Sequence, residues 1–304
     1  MKIGIDVGGS HIATGIVVEN GKILNKEILD IDLSEISSAQ NAEEILINTI
    51  NYQINTLLKK SDYEIDDISK IGIASPGNPS ETELKNLVNL NIKKFNIKNA
   101  LEKTYNTKIK IKNDGKCAGI AEKKYGALKN YNDAVFLCIG TGVGSAVFLN
   151  GELLEPKKAS GFEFGHMIIE KDNGIQCNCG NKGCFETVAS MKRFKQNAIK
   201  QLKLSEKIKS NEMQQYIREN ILEKNVQSFI NTYLENVSIG ISNIINIFEP
   251  EAICFGGSFS YYEDIFLPIL KEKVRKHQFN KENNVQFVLS KFKNDAGIIG
   301  ATEI

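Results

Sequence analysis

The sequence predicts an α/β protein of two domains, each a sheet layered with helices, built by duplicating one β-hairpin unit. Three observations carry this. Strand-like apolar runs alternate with helical patterns through both halves, the signature of α/β layers. The element Val18-Glu-Asn-Gly-Lys-Ile-Leu24 returns as Phe148-Leu-Asn-Gly-Glu-Leu-Leu154, which an internal duplication explains most economically. At 304 residues the chain is long enough to bury two cores.

Residues 2–7 read as a buried strand ending in the turn Gly8-Gly9-Ser10. A second strand is expected at about 13–19, followed by Asn20-Gly21, a strong two-residue hairpin signal, and a third strand. From about 40 to 60, Ile47, Ile50, Ile54, Leu57 and Leu58 fall on one helical face. Ile71–Ala74 is a strand stopped by Ser75-Pro76-Gly77, Lys108–Lys112 another, and Asp114–Tyr125 a helix. The hairpin grammar then repeats: strand Val135–Ile139, glycine turn, return strand Ser145–Leu149, and Asn150-Gly151 before Glu152-Leu153-Leu154. A long helical region is expected from about 190 to 247 with a break near 210. The strand Ala252–Phe255, a helix near 262–277, the strand Val285–Leu289 and a short terminal helix complete the pattern. The expected domains are 1–117 and 118–291, with the terminal helix in 292–304 packing back on the first.

Composition excludes several function classes. Lys+Arg 38 against Asp+Glu 37 gives a net charge of +1, so no basic field draws in nucleic acid or an anionic membrane. The chain opens on Lys2-Ile-Gly-Ile-Asp6 with no signal segment, and no apolar run reaches the roughly 18 residues of a spanning helix. A cytoplasmic protein is expected. Cys117, Cys138 and Cys254 lie in apolar or small-residue segments and read as buried, inert thiols.

The densest chemistry lies between Glu163 and Glu186. His166, Cys177, Cys179 and Cys184 offer one imidazole and three thiols, a closed tetrahedral set that suits structural Zn²⁺. Gly180 and Gly183 lie where a tight metal loop needs positive φ. Closing the site would hold Glu163 and Glu186 at fixed places on one surface. Three glycine turns each follow a buried strand: Asp6-Val-Gly8-Gly9-Ser10, Gly140-Thr141-Gly142-Val-Gly144 and Gly256-Gly257-Ser258. Turns without β-carbons let backbone N–H groups approach an anion, and Ser10 or Thr141 adds a hydroxyl. One such turn is commonplace; three suggest a nucleotide held between two domains. The P-loop pattern and a Gly-x-Gly-x-x-Gly opening a helix are absent. Asn113-Asp114 closes a strand and starts a helix, where an aspartate serves as N-cap or, at a cleft edge, as an oriented base.

Together these motifs, with Asn89-Leu90, resemble the ROK family (repressors, open reading frames and kinases) of the actin/hexokinase/Hsp70 ATPase superfamily. The resemblance covers essentially the whole chain. It implies two duplicated actin-like (ribonuclease H-like) α/β domains around a cleft, with a zinc-binding loop at 163–186. It implies Asp114 as the catalytic base for a sugar hydroxyl, usually O6. Asn113, Glu163, His166 and Glu186 would bind sugar hydroxyls, with Gly77 and Asn89 lining the same pocket. His166 would use one ring nitrogen on zinc and present its other edge to the sugar. Asp6 would orient hydrated Mg²⁺, and the three glycine turns would hold ATP. The family also implies a homodimer. The chain departs from the family pattern at His11, where lysine is usual, and lacks the aromatic that follows Asn-Leu, running Asn89-Leu-Asn-Ile-Lys-Lys-Phe95 with no Trp in the protein.

The expectation is therefore an ATP-dependent hexose kinase, glucose first, N-acetylmannosamine or another N-acetylhexosamine second. The cysteine loop resembles that of glucokinases and N-acetylhexosamine kinases more than that of fructokinases. The alternative of another class is a sugar-sensing repressor, whose members add an N-terminal helix-turn-helix domain.

Overall fold

The computed structural model describes every residue except Ser10, Val88, Asn89 and 158–160. The chain divides into two compact units, one of Met1–Asn130, Leu153–Gly161 and Lys291–Ile304, the other of Tyr131–Glu152 and Phe162–Ser290.

The first unit begins with β1 (Lys2–Val7), β2 (His11–Val17) and β3 (Ile23–Asp30), followed by α1 (Ala39–Ser61) and β4 (Lys70–Ser75). It continues through β5 (Leu84–Leu87), β6 (Ile92–Phe95), α2 (Ile97–Glu102), β7 (Lys108–Asn113) and α3 (Asp114–Tyr125). The main sheet has the order β3-β2-β1-β4-β7. β1 and β2 are antiparallel, whereas β1, β4 and β7 run parallel. The hairpin is set by Asn20 (φ 65°) and Gly21 (φ 71°), the left-handed pair a two-residue turn requires. The core joins Ile3, Ile5, Ile71, Ile73 and Ile109 to Leu46, Ile50, Ile54 and Leu57 of α1. α1 starts where Ser38 caps Asn41 N–H and stops where Asp62 turns left-handed. A buried Gln53 pins α1 to the sheet, donating to Ile12 O at 2.7 Å and accepting from Thr14 Oγ1 at 2.8 Å.

The second unit repeats this plan. β8 (Ala134–Ile139), β9 (Val143–Leu149) and β10 (Glu152–Leu153) precede α4 (Glu186–Ala189), α5 (Met191–Gln201), α6 (Ser210–Glu219) and α7 (Lys224–Phe248). β11 (Ala252–Gly256), α8 (Glu263–His277) and β12 (Gln286–Leu289) follow. The second sheet, β10-β9-β8-β11-β12, has the same order and the same mix of antiparallel and parallel pairs as the first. Asn150 (φ 53°) and Gly151 (φ 83°) reproduce the hairpin turn. Phe194 anchors an aromatic core, in ring contact with Phe229, Tyr233, Tyr262 and Phe266.

The last helix, α9 (Ala296–Ala301), belongs to the first unit and packs against α3 and β1. The first unit's opening segment runs through α3 to Asn130. The region expected as one helical run with a single break is three helices, α5 to α7. Its breaks lie at 202–209 and 220–223, the first marked by the left-handed Lys203. The β5–β6 pair and α2 have no counterpart in the sequence reading: Leu84-Lys-Asn-Leu87 is too short to show a period. Cys117 and Cys254 are buried as expected, whereas Cys138, next to the last residue of β8, is only partly buried.

Candidate functional site

In the first unit the candidate residues gather at the carboxyl ends of the parallel strands, where open α/β sheets bind ligands. Asp6, Gly8 and Gly9 stand at the end of β1, Gly77 beyond β4, and Asn113 and Asp114 at the junction of β7 and α3. The register pairs Asp6 with Ala74 and Ser75 with Asn113, so these ends lie level in adjacent strands. Asn113 does two jobs. Its Oδ1 accepts from Lys116 N–H at 3.2 Å, capping α3, and its Nδ2 donates to Gly77 O at 3.1 Å. Gly77 has φ +75°, and a β-carbon there would stand 2.3 Å from Lys85 O, so a side chain is excluded on both counts. Ser10 and Asn89 lie outside the described residues. His11, the departure from the family pattern, is exposed and opens β2.

Asp114 accepts from Gly115 N–H at 2.8 Å, which fixes its carboxylate at the first turn of α3. Burial and the nearby Asp114 carboxylate push Asp6 up to about 7. Behind Asp6 lies Gly297 of α9, where a β-carbon would come within 2.3 Å of Asp6 Oδ2. Sequence reading missed Gly297, because nothing local distinguishes it; only the return of α9 to β1 reveals its place.

In the second unit two glycine turns lie side by side. β8 and β11 run parallel with Cys138 opposite Gly256, and a β-carbon at the left-handed Gly257 (φ +71°) would meet Ile139 O at 2.6 Å. The turn Gly140–Gly144 is closed by Gly140 N–H donating to Gly142 O at 2.9 Å, and it leaves Thr141 exposed. Ser258 is partly exposed beside Gly257.

The metal loop is built on the same unit. Single bridges Ile168–Cys184 and Gln176–Lys182 fold it into a narrow ribbon, and Gly180 (φ +97°) and Gly183 (φ +76°) take the left-handed conformations expected of them. The ligand atoms of His166, Cys177, Cys179 and Cys184 all lie within 4.8 Å of one another. His166 Nδ1 stands 3.7 Å from Cys177 Sγ, and Cys179 Sγ 3.6 Å from Cys184 Sγ. Ligands arranged tetrahedrally about Zn²⁺ at about 2.3 Å stand about 3.7 Å apart, so the four residues fit that ion. Burial pushes the Cys184 thiol up to about 12 and raises Cys177, whereas the backbone N–H of Asn181 holds Cys179 below the usual thiol range. A cation would displace the remaining thiol protons, so loading depends on pH.

Glu163 and Glu186 flank this ligand set. Glu163 begins the short 3₁₀ turn Phe164–His166, with His166 N–H donating to its carbonyl at 3.0 Å. Ser145 Oγ ties that turn to β9, donating to Phe162 O at 2.6 Å and accepting from Phe164 N–H at 3.3 Å. Glu186 opens α4, and its Oε2 accepts from Val143 N–H at 2.9 Å, inside the glycine turn. The second unit therefore unites the metal set, Glu163, Glu186 and two glycine turns, while the first unites Asp6, Gly77, Asn113 and Asp114. Among the described residues, no helix is long and apolar enough to cross a membrane.

The chain matches the profile of the ROK family over residues 2–304. A glucokinase of Thermotoga maritima is 30% identical over 318 residues, spanning 99% of this chain and 96% of its own. A xylose repressor of Bacillus subtilis is 29% identical over 309 residues, spanning 99% of this chain and 76% of the repressor. The solved ROK family glucokinase from Streptomyces griseus, in complex with glucose and AMPPNP, has a TM-score of 0.81 at 21% identity, covering 99% of this chain and 98% of that one, a likeness of fold.

Proposed function

Because this chain belongs to the ROK family, we propose that it is an ATP-dependent sugar kinase that phosphorylates a hexose hydroxyl, O6 of glucose first among them. The observation that carries this reading is that Asp6 and Asp114 both stand at the carboxyl end of the first unit's parallel strands, at β1 and β7 with β4 between them, near enough for the Asp114 carboxylate to help raise Asp6. A base and a metal-orienting carboxylate are the two acidic groups phosphoryl transfer to an alcohol needs.

In this reading Asp114, held by Gly115 N–H, accepts the proton of the attacking sugar hydroxyl. Asn113, Glu163, His166 and Glu186 bind the other hydroxyls, and Gly77, fixed by Asn113, lines the pocket. His166 turns Nδ1 toward the thiols, which leaves Nε2 for a sugar oxygen. The turns at Gly8-Gly9-Ser10, Gly140–Gly144 and Gly256–Ser258 supply backbone N–H groups to the nucleotide. Mg²⁺, when present with ATP, supplies charge neutralisation at the phosphates, and Asp6 is the residue that would hold its waters. Zinc on His166 and the three cysteines would order the segment that carries Glu163 and Glu186.

A coupled ADP-release assay over glucose, mannose, fructose, allose, N-acetylglucosamine and N-acetylmannosamine tests the reading. Turnover is expected to be highest on glucose, and a best rate on N-acetylmannosamine would reassign the substrate within the same reaction. No sugar-dependent ADP release from folded protein would sink the kinase reading. It would favour the second reading, a sugar-sensing relative of the xylose repressor, which 29% identity supports.

A further inference from the structure

We infer that Glu186 is a positioning residue for the nucleotide turn as well as a sugar-binding residue, so that one carboxylate serves both substrates. This rests on the reading of Gly140–Gly144 as a nucleotide turn. The segment that follows the metal ligand Cys184 is fastened to that turn at two points. Glu186 Oε2 accepts from Val143 N–H at 2.9 Å, and Met191 N–H donates to Gly140 O at 2.8 Å. Val143 is gripped from its other side too, because Gly165 of the Glu163–His166 turn packs where a β-carbon would meet Val143 O at 2.5 Å.

Gly142 shows how closely the carboxylate is seated. A β-carbon there would stand 2.5 Å from Glu186 Oε2, so a side chain at residue 142 would push the carboxylate from its present seat. Gly142 is not in the left-handed region, so a side chain there would not strain the backbone; what it would displace is the Glu186 carboxylate from its seat on Val143 N–H. With Oε2 occupied by the turn, Oε1 is the atom left to meet a sugar hydroxyl. A charged acceptor on a backbone donor is among the stronger hydrogen bonds, and it aims the remaining N–H groups of a loop that has few side chains to stiffen it.

The test is titration of a fluorescent ATP analogue with Mg²⁺, in the absence of sugar, into wild type, Glu186→Ala, Glu186→Gln, Gly142→Ala and the Gly142→Ala/Glu186→Ala double variant. Without sugar, a residue that only bound sugar would leave nucleotide affinity unmoved. Glu186→Ala should weaken it about fivefold to tenfold. Glu186→Gln should stay within about twofold of wild type, because its amide oxygen still accepts from Val143 N–H. Gly142→Ala should weaken binding as Glu186→Ala does, and the double variant should add nothing further, since both act by freeing Val143. Glu186→Ala binding as tightly as wild type would overturn the inference, as would Glu186→Gln binding as weakly as Glu186→Ala. Wild type binding no nucleotide would instead remove the reading of the turn, and the inference with it.

Discussion

At the scale of single residues, two nearby aspartates take different tasks in the proposed reading. Asp114 sits in the first turn of α3, its carboxylate accepting from Gly115 N–H, and in the proposed reading it is the base. Asp114→Asn keeps the shape but cannot accept a proton, so kcat should fall by about 10²–10⁴-fold while sugar affinity survives. A variant that keeps more than half of wild-type kcat would show that another group takes the proton. The structure displaces the titration of Asp6. Burial and Asp114 raise it to about 7, above its unfolded value of 3.8, so between these pH values the native state binds more protons than the unfolded chain. Stability contributed by this group is full below pH 4 and lost as pH rises through 7. Asp6→Asn, in magnesium-free buffer, should therefore be the more stable protein at pH 8 by on the order of 2 kcal/mol, with the gap closing by pH 4. Urea unfolding at both pH values measures this, and a gap independent of pH would refute it.

At the scale of elements, the metal loop is the clearest case of local sequence dictating local structure. Two left-handed glycines and two single bridges fold 163–186 into a ribbon that brings one nitrogen and three sulfurs together. The purified protein should carry close to one zinc per chain. Chelation should lower Tm by roughly 5 °C or more and raise the sugar KM, because the ribbon carries Glu163 and Glu186. Cys179 is exposed, so Cys179→Ser removes a ligand without opening a cavity and should reproduce the chelated phenotype. Unchanged Tm and sugar affinity in that variant would leave the loop without a structural metal.

At the scale of the whole molecule, the two units repeat one sheet order, and the residues proposed for a single reaction are divided between them. If the proposed roles hold, sugar and nucleotide would each engage residues of both units, and each should then tighten the other by the same factor. Calorimetry of sugar binding with and without a non-hydrolysable ATP analogue and Mg²⁺ should show a factor of about five to a hundred. ATP hydrolysis by water should be far slower than sugar phosphorylation. Equal sugar affinities in the two conditions would mean that the units respond to their ligands independently.

The sequence by itself determined whatever depends on neighbours in the chain. The Asn20-Gly21 and Asn150-Gly151 turns were legible because only a few residue types accept positive φ. Helix α3 was legible from its cap, and the ligand set from its spacing. What depends on chain segments far apart was decided only in the tertiary structure. Gly297 stands behind Asp6 because α9 crosses back to β1, some 290 residues away along the chain. Asp6 is raised first by burial under the returning chain and then by a second carboxylate, brought near because β1, β4 and β7 end level. Glu186 reads from sequence as an acid fixed by the metal loop and, by the family resemblance, as a sugar-binding residue, but not as a partner of the glycine turn. Its hydrogen bond to Val143, 43 positions earlier, exists because the ribbon and β9 pack together, and a pairing across that distance leaves no periodic trace in either segment.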